Sequence, residues 1–322
     1  MTDTPPALRC TVTAPARLHL GFVDLNGAMG RQFGSIGLAI EGLDAAVVAE
    51  PALDTTVDGP EGARVKAIAA RLIEEAGTTT GLRTQVLAMP PAHAGLGSGT
   101  QLALAAGAAC AAALGLKRTP RELAVLAGRG ARSGIGIAAF EQGGFLLDGG
   151  RGEDSLTPPL LCRLTWPAAW RCVLLLDERH EGLNGINERQ AFTRLPAMDE
   201  MAAGELARRV LVGLLPALAE HNFHEFSRHL GRIQEIVGDY FAPAQGGRYT
   251  SPEVGACLQS LAKTFGLPGI GQSSWEPTGF IFTPDPASAE AVMEACRPRL
   301  AEGLRCLMVT GAARGARIEV GT

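Results

Sequence analysis

A chain of 322 residues, 46% hydrophobic and 19% charged, has a globular composition and the length for two domains with separate cores, which excludes a disordered or fibrous polypeptide. Its net charge of −4, with no run of Lys and Arg, excludes nucleic acid as the main partner, because that affinity rests on clustered cations neutralising phosphates. A single anionic metabolite needs only a few local cations and donors, and stays within these limits.

Met1 to Pro6 lacks the basic and apolar regions of a signal peptide. Cys10 to Leu20 alternates as a strand and runs into a turn at Gly21; Arg17 and His19, two apart, share one of its faces. Gly27 to Gly37 reads as a loop and Gly37 to Glu50 as a strand. Arg64 to Ala76 carries apolar residues at helical spacing (Val65, Ile68, Ala69, Leu72, Ile73), with Gly77 as its C-cap. Leu82 to Met89 is a strand that stops at Pro90-Pro91. A glycine-rich segment, His93 to Gln101, then feeds an Ala-rich helix to about Leu116. That apolar run falls short of the roughly 20 residues that span a bilayer, so it predicts a buried helix in a soluble protein.

Thr119-Pro120 predicts the cap and first residue of the next helix, which ends at Gly128. Arg129 to Gly136 is a second glycine-rich turn, Ala138 to Leu147 passes from helix to strand, and Asp148-Gly149-Gly150 closes it. Arg151 to Pro159 is polar, a linker or long loop. In the second half, Arg171 to Leu176 is a strand, Met198 to Glu220 and Phe223 to Val237 are long helices, and Gly266 to Ser274 is a turn. Thr278 to Phe282 is a strand, Ala287 to Leu300 a helix, and Arg305 to Thr310 with Arg317 to Val320 a terminal hairpin. This order predicts an α+β fold in mixed layers. Seven cysteines stand singly with no CxxC pair, as small buried side chains of a reducing cytoplasm do.

The chemistry concentrates at His93 to Gln101. Gly95, Gly97 and Gly99 let backbone amides approach an anion closely, and the loop empties into a helix whose first turn carries unpaired N–H donors and partial positive charge. Ser98 or Thr100 can cap that helix and still offer a hydroxyl. This is an anion site in prospect. It is neither a Walker loop, since no Lys-Ser or Lys-Thr follows the glycines, nor a GxGxxG dinucleotide fingerprint.

Pro91, Gly95, Leu96, Gly97 and Ser98 match the PxxxGLGSS phosphate loop of the GHMP kinase superfamily, with Gly99 in place of its second serine. Residues 14–27, from Ala14-Pro15-Ala16-Arg17 to Asn26-Gly27, resemble the first motif of one branch, the β-ribofuranosylaminobenzene 5′-phosphate synthases. Gly128 to Gly136 with Ala139-Phe140-Glu141, and Gly269-Ile270-Gly271-Gln272-Ser273-Ser274-Trp275 through Pro277-Thr278, resemble its later segments, with Glu276 where a glycine is expected. The resemblance covers nearly the whole chain in order. It implies a GHMP-kinase-like two-domain fold: residues 1–160 an N-terminal α/β domain with the loop at 91–101, and residues 161–322 a ferredoxin-like α+β domain. It implies an enzyme that joins 4-aminobenzoate or 4-hydroxybenzoate to phosphoribosyl pyrophosphate with loss of carbon dioxide and pyrophosphate, for methanopterin-type one-carbon carriers, using magnesium and working as a homodimer.

On that reading, Gly95, Leu96, Gly97, Ser98, Gly99, Thr100 and Gln101, with His93 beside them, form the phosphate loop. Arg17, Arg129 and Arg132 supply charge-assisted contacts, though each alone fits a surface ion pair equally well. Arg17, His19, Asp24 and Glu141 are the candidate catalytic side chains, and Asp24, Glu141 and Asp148 the candidate magnesium ligands, each equally able to cap a turn. Ser133 and Gly134 join the site from the second segment, and Gly271, Gln272, Ser273, Ser274 and Trp275 from the third, where the indole can stack on an aromatic substrate or pack in the core. His221, Glu225 and His229 lie four apart and read as a solvated helix face. The absent second serine argues against an ATP-dependent kinase, the main alternative; a ligand sensor on the same fold is the other.

Overall fold

The computed structural model describes residues 8–179, 195–300 and 303–321. The chain forms β1 (Arg9–Asp24), β2 (Phe33–Ala52), β3 (Thr56–Asp58), α1 (Gly62–Ala76), β4 (Gly81–Ala88), α2 (Ser98–Ala113), α3 (Pro120–Leu126), α4 (Ile135–Gln142), β5 (Phe145–Asp148), β6 (Leu160–Leu164) and β7 (Arg171–Asp177). Then come α5 (Glu200–Arg209), a π-helical turn (Val210–Leu214), α6 (Leu215–Ala219), α7 (Phe223–Gln245), α8 (Pro252–Phe265), β8 (Ile270–Gln272), β9 (Thr278–Thr283), α9 (Pro286–Leu300), β10 (Leu304–Val309) and β11 (Arg317–Gly321). One sheet runs β11-β1-β2-β4-β3, with β5 on β2 and β6 on β5; the other runs β10-β7-β9-β8. All pairs are antiparallel except β3–β4. This is the mixed α+β architecture read from the sequence.

A bulge in β1 decides which side chains reach the site. Cys10, Val12 and Ala14 pack with α1 and α2, whereas Ala16, Leu18 and Leu20 pack with the second-half helices through Leu206, Leu214 and Phe226. Strict alternation would keep all six on one face. The register shift between Ala14 and Ala16 reverses them. The same reversal turns Arg17 to the α2 side, against the glycine loop.

Local signals explain most helix ends. Thr119 and Glu122 form a reciprocal capping box ahead of Pro120, and Gly77 closes α1 with a left-handed φ of 60°. The Ala-rich α2 buries nearly its whole surface, because small side chains let β1, β2, α1 and α3 approach closely. In α6, Pro216 has no N–H to return to Val212, and the helix widens through the π turn just before it.

The structure also corrects several expectations. β10 and β11 are not a hairpin: β10 pairs with β7 and β11 with β1. Residues 310–316 cross between the sheets, bonded to Glu41, Ala39, Gly144 and Phe140. Residues 151–159 are the long loop of the two readings offered, joining β5 to β6 within one sheet. The Gly266–Ser274 turn holds the short strand β8, β2 starts at Phe33 inside the expected loop, and β6 and α8 were not anticipated. Among the described residues, no helix is long and apolar enough to cross a membrane.

Candidate active site at the glycine loop

The loop bends through left-handed backbone at His93 (φ 54°), Gly95 (φ 68°) and Gly97 (φ 75°). Gly97, not Ser98 or Thr100, is the N-cap of α2, and no side chain caps it. The Gly97 carbonyl accepts from the amides of Thr100 and Gln101, which leaves the first-turn amides of Ser98 and Gly99 as donors for a ligand. Leu96 is buried in the core and its carbonyl accepts from the Arg17 amide. Thr100 lies against Gly136, and the fully buried Gln101 donates to the Gly136 carbonyl at 2.8 Å. The Leu96 carbonyl and the Thr100 and Gln101 side chains hold the loop to β1 and α4. His93 is exposed beside them.

Two distant segments converge on the Gly95 carbonyl. Arg17 Nη1 donates to it at 2.6 Å and Ser273 Oγ at 2.6 Å, while Ser273 Oγ accepts from the His19 amide at 3.0 Å. The Arg17 side chain also lies along Gly97, and a Cβ there would meet its Cγ at 2.9 Å. Glu276, the departure from the family motif, stands beside Gly95. Gln272 bonds Gln234 through its backbone and Thr250, Gln245 and Ser274 through its amide. Gly271 admits the Gln234 side chain, which a Cβ would meet at 2.2 Å. Ser274 turns with φ 64°. Trp275 is 2% exposed, its ring 4.5 Å from that of Phe241. His19, Phe22, Phe241, Gln272 and Trp275 line a cavity of about 20 Å³, the room of one water molecule. An aromatic ring stacks on Trp275 only if these neighbours move.

His19 is buried, and burial, followed by the charges of Arg17 and Arg132, lowers its pKa from 6.5 to about 3. The native imidazole is therefore neutral at physiological pH. An unfolded chain takes up a proton below about 6.5 that the native state refuses, so stability is full above that pH and falls as pH drops towards 3, by about 1.4 kcal/mol per pH unit. Denaturant unfolding of wild type and His19→Gln between pH 8 and 5 should show the steeper loss in the wild type; parallel curves would contradict it.

Gly99 marks the other side of the loop. A Cβ there would stand 3.2 Å from Arg129 Nη2 and 3.2 Å from Arg64 Nη1. Burial and then the charge of Arg64 lower the Arg129 pKa. Arg64, which pairs with Glu61 at 3.1 Å, is the residue the sequence reading missed. It lies on α1, outside every glycine motif, where the visible signal was apolar spacing.

The carboxylates do other work. Asp148, 1% exposed, accepts from the amides of Ser35, Gly134 and Gly150 and from Ser133 Oγ. Burial pushes its pKa up, and those donors pull it back. With both oxygens engaged, it is a clamp on the 133–136 turn and not a magnesium ligand. Ser133 and Gly134 serve that clamp. Asp24 caps the turn at Asn26 and Gly27. Glu141 lies at the far end of α4, 3.8 Å from Arg121, and is not brought to the loop. These three do not fit a protein-held magnesium, and among the described residues no group of three His, Cys, Asp or Glu could hold a metal ion. On α7, Glu225 forms an ion pair with Arg228 and lies 3.7 Å from His229, whose pKa burial lowers.

Comparison with known proteins places the chain in a family. The GHMP kinases N terminal domain family matches residues 63–144, and the GHMP kinases C terminal family matches residues 214–302. The β-ribofuranosylphenol 5′-phosphate synthase of Methanothermobacter thermautotrophicus is 30% identical over 95% of this chain and 97% of its own length. That of Archaeoglobus fulgidus is 32% identical, again over 95% and 97%. The homoserine kinase of Cytophaga hutchinsonii superimposes with a TM-score of 0.69 at 19% identity, covering 99% of this chain and 100% of that one, a likeness of fold alone. The chain belongs to the β-ribofuranosylphenol 5′-phosphate synthase family, transferases built on the GHMP kinase fold.

Proposed function

We propose that this enzyme joins a 4-substituted benzoate to phosphoribosyl pyrophosphate and releases carbon dioxide and pyrophosphate, as an early step towards methanopterin-type one-carbon carriers. The relatives' names specify a phenol, which favours 4-hydroxybenzoate over 4-aminobenzoate as the acid. The observation that carries the reading is the uncapped start of α2 at Gly97, with Arg17 on one side and Arg64 and Arg129 on the other. Such a cradle suits a donor with phosphate charge at both ends.

The chemistry asks little of acid–base groups. The bond from the anomeric carbon to pyrophosphate breaks, its electron pair leaving with the oxygen. The ring carbon bearing the carboxylate then bonds the anomeric carbon. Loss of carbon dioxide returns the carbon–carbon bonding pair to the ring and restores aromaticity. No proton moves at either reacting carbon, which agrees with a buried neutral His19. The residues' task is to hold phosphate charge and stabilise the departing anion. Magnesium enters this reading with the donor's phosphates, whose charge it would offset. Arg17 and Ser273 fix the loop through the Gly95 carbonyl.

The test is pyrophosphate release on mixing the protein with phosphoribosyl pyrophosphate and each acid in magnesium buffer. Release that requires the acid supports the reading. No release with either acid, together with thermal protection by ATP and magnesium, would replace it with a kinase.

A further inference from the structure

Gly99 brings two arginines from separate elements to one point. Arg64 comes from the first turn of α1 and Arg129 from the turn after α3, and each places a guanidinium nitrogen 3.2 Å from the position of a Cβ on Gly99. Two like charges so close, beside the positive end of a helix, repel one another. Burial first, and then that repulsion, lower the Arg129 pKa. Glu61 pairs directly with the more exposed member, Arg64, and offsets only part of the strain on Arg129, whose pKa stays lowered. An anion seated between the guanidinium groups relieves both, and Gly99 is what leaves room for them: the serine of the related motif would push into a space already at contact distance.

We propose that Arg64 and Arg129 form the subsite for the donor's diphosphate group, the end that leaves, and that Gly99 is glycine to admit them. This rests on the synthase reading and deepens it. Two planar forks, with the amides of Ser98 and Gly99, supply donors for more than one phosphoryl group, whereas a 5′-phosphate needs fewer. Charge grows on the diphosphate as its bond to the sugar breaks, so cations placed there act on the transition state. Arg17, by contrast, is already engaged with the Gly95 carbonyl on the His19 side.

The test is calorimetric titration of the full chain with inorganic pyrophosphate and with ribose 5-phosphate, in magnesium buffer. Arg64→Gln and Gly99→Ser should each weaken pyrophosphate by about tenfold or more and change ribose 5-phosphate by less than about twofold. Arg64→Lys should recover part of the loss, and melting temperatures close to wild type would show that the fold is kept. Equal loss of both ligands, loss of ribose 5-phosphate alone, or unchanged pyrophosphate binding would overturn the assignment while leaving the synthase reading in place. A wild type that binds neither ligand would overturn both.

Discussion

Gly95→Ala should cost the enzyme about 100-fold or more in kcat/KM, because displacing a binding loop by about 1 Å has effects of that size. The new Cβ would meet the Ser273 carbonyl oxygen at 2.2 Å and Glu276 Cβ at 3.1 Å, and the backbone would be held at φ 68°. The left-handed backbone alone costs about 1–2 kcal/mol; the clash with main chain cannot be relieved by a rotamer change. The loop must move, and with it the Gly95 carbonyl that both Arg17 and Ser273 hold. Gly77→Ala separates the two effects. Gly77 has φ 60° but nothing within 4 Å of an added Cβ, so this variant should lose about 1 kcal/mol of stability and keep its activity. Steady-state kinetics and denaturant unfolding of the pair check both halves, and a fully active Gly95→Ala would contradict the loop geometry.

The second large effect is on stability. Asp148→Asn puts an NH₂ where a carboxylate oxygen now faces N–H and O–H donors, leaving at least one buried donor opposed to another. The expected loss is about 2–3 kcal/mol, read as a lower midpoint in urea. The turn that carries Arg132, Ser133 and Gly134 loses its clamp, so activity should fall as well. A variant with wild-type stability whose defect was a lost thermal response to magnesium would contradict the clamp and restore the carboxylate as a metal ligand.

What the sequence revealed and what it hid follow from the range of each interaction. The glycine loop, the Thr119 cap and the Gly77 terminus are local: a few neighbouring residues set each backbone conformation, so their chemistry is visible in order. The destinations of β10 and β11 are not local. Two short apolar segments around glycines predict a hairpin, and only the pairing of β10 with β7 and of β11 with β1 shows the crossing between sheets. The same limit applied to the carboxylates. Asp148 beside two glycines resembles a ligand as well as a turn, and it took the amides of Ser35 and Gly134, distant in sequence, to distinguish them. Arg64 was hidden because its partner at Gly99 lies on another element. Trp275 was legible as a motif residue, yet its burial against Phe241 comes from α7.

The most direct measurement is carbon dioxide release from carboxyl-labelled 4-hydroxybenzoate and 4-aminobenzoate, counted against pyrophosphate in the same tube. The synthase reading predicts labelled carbon dioxide from at least one acid, dependent on phosphoribosyl pyrophosphate and equal in amount to the pyrophosphate released. Pyrophosphate without carbon dioxide, or neither product with either acid, would contradict it.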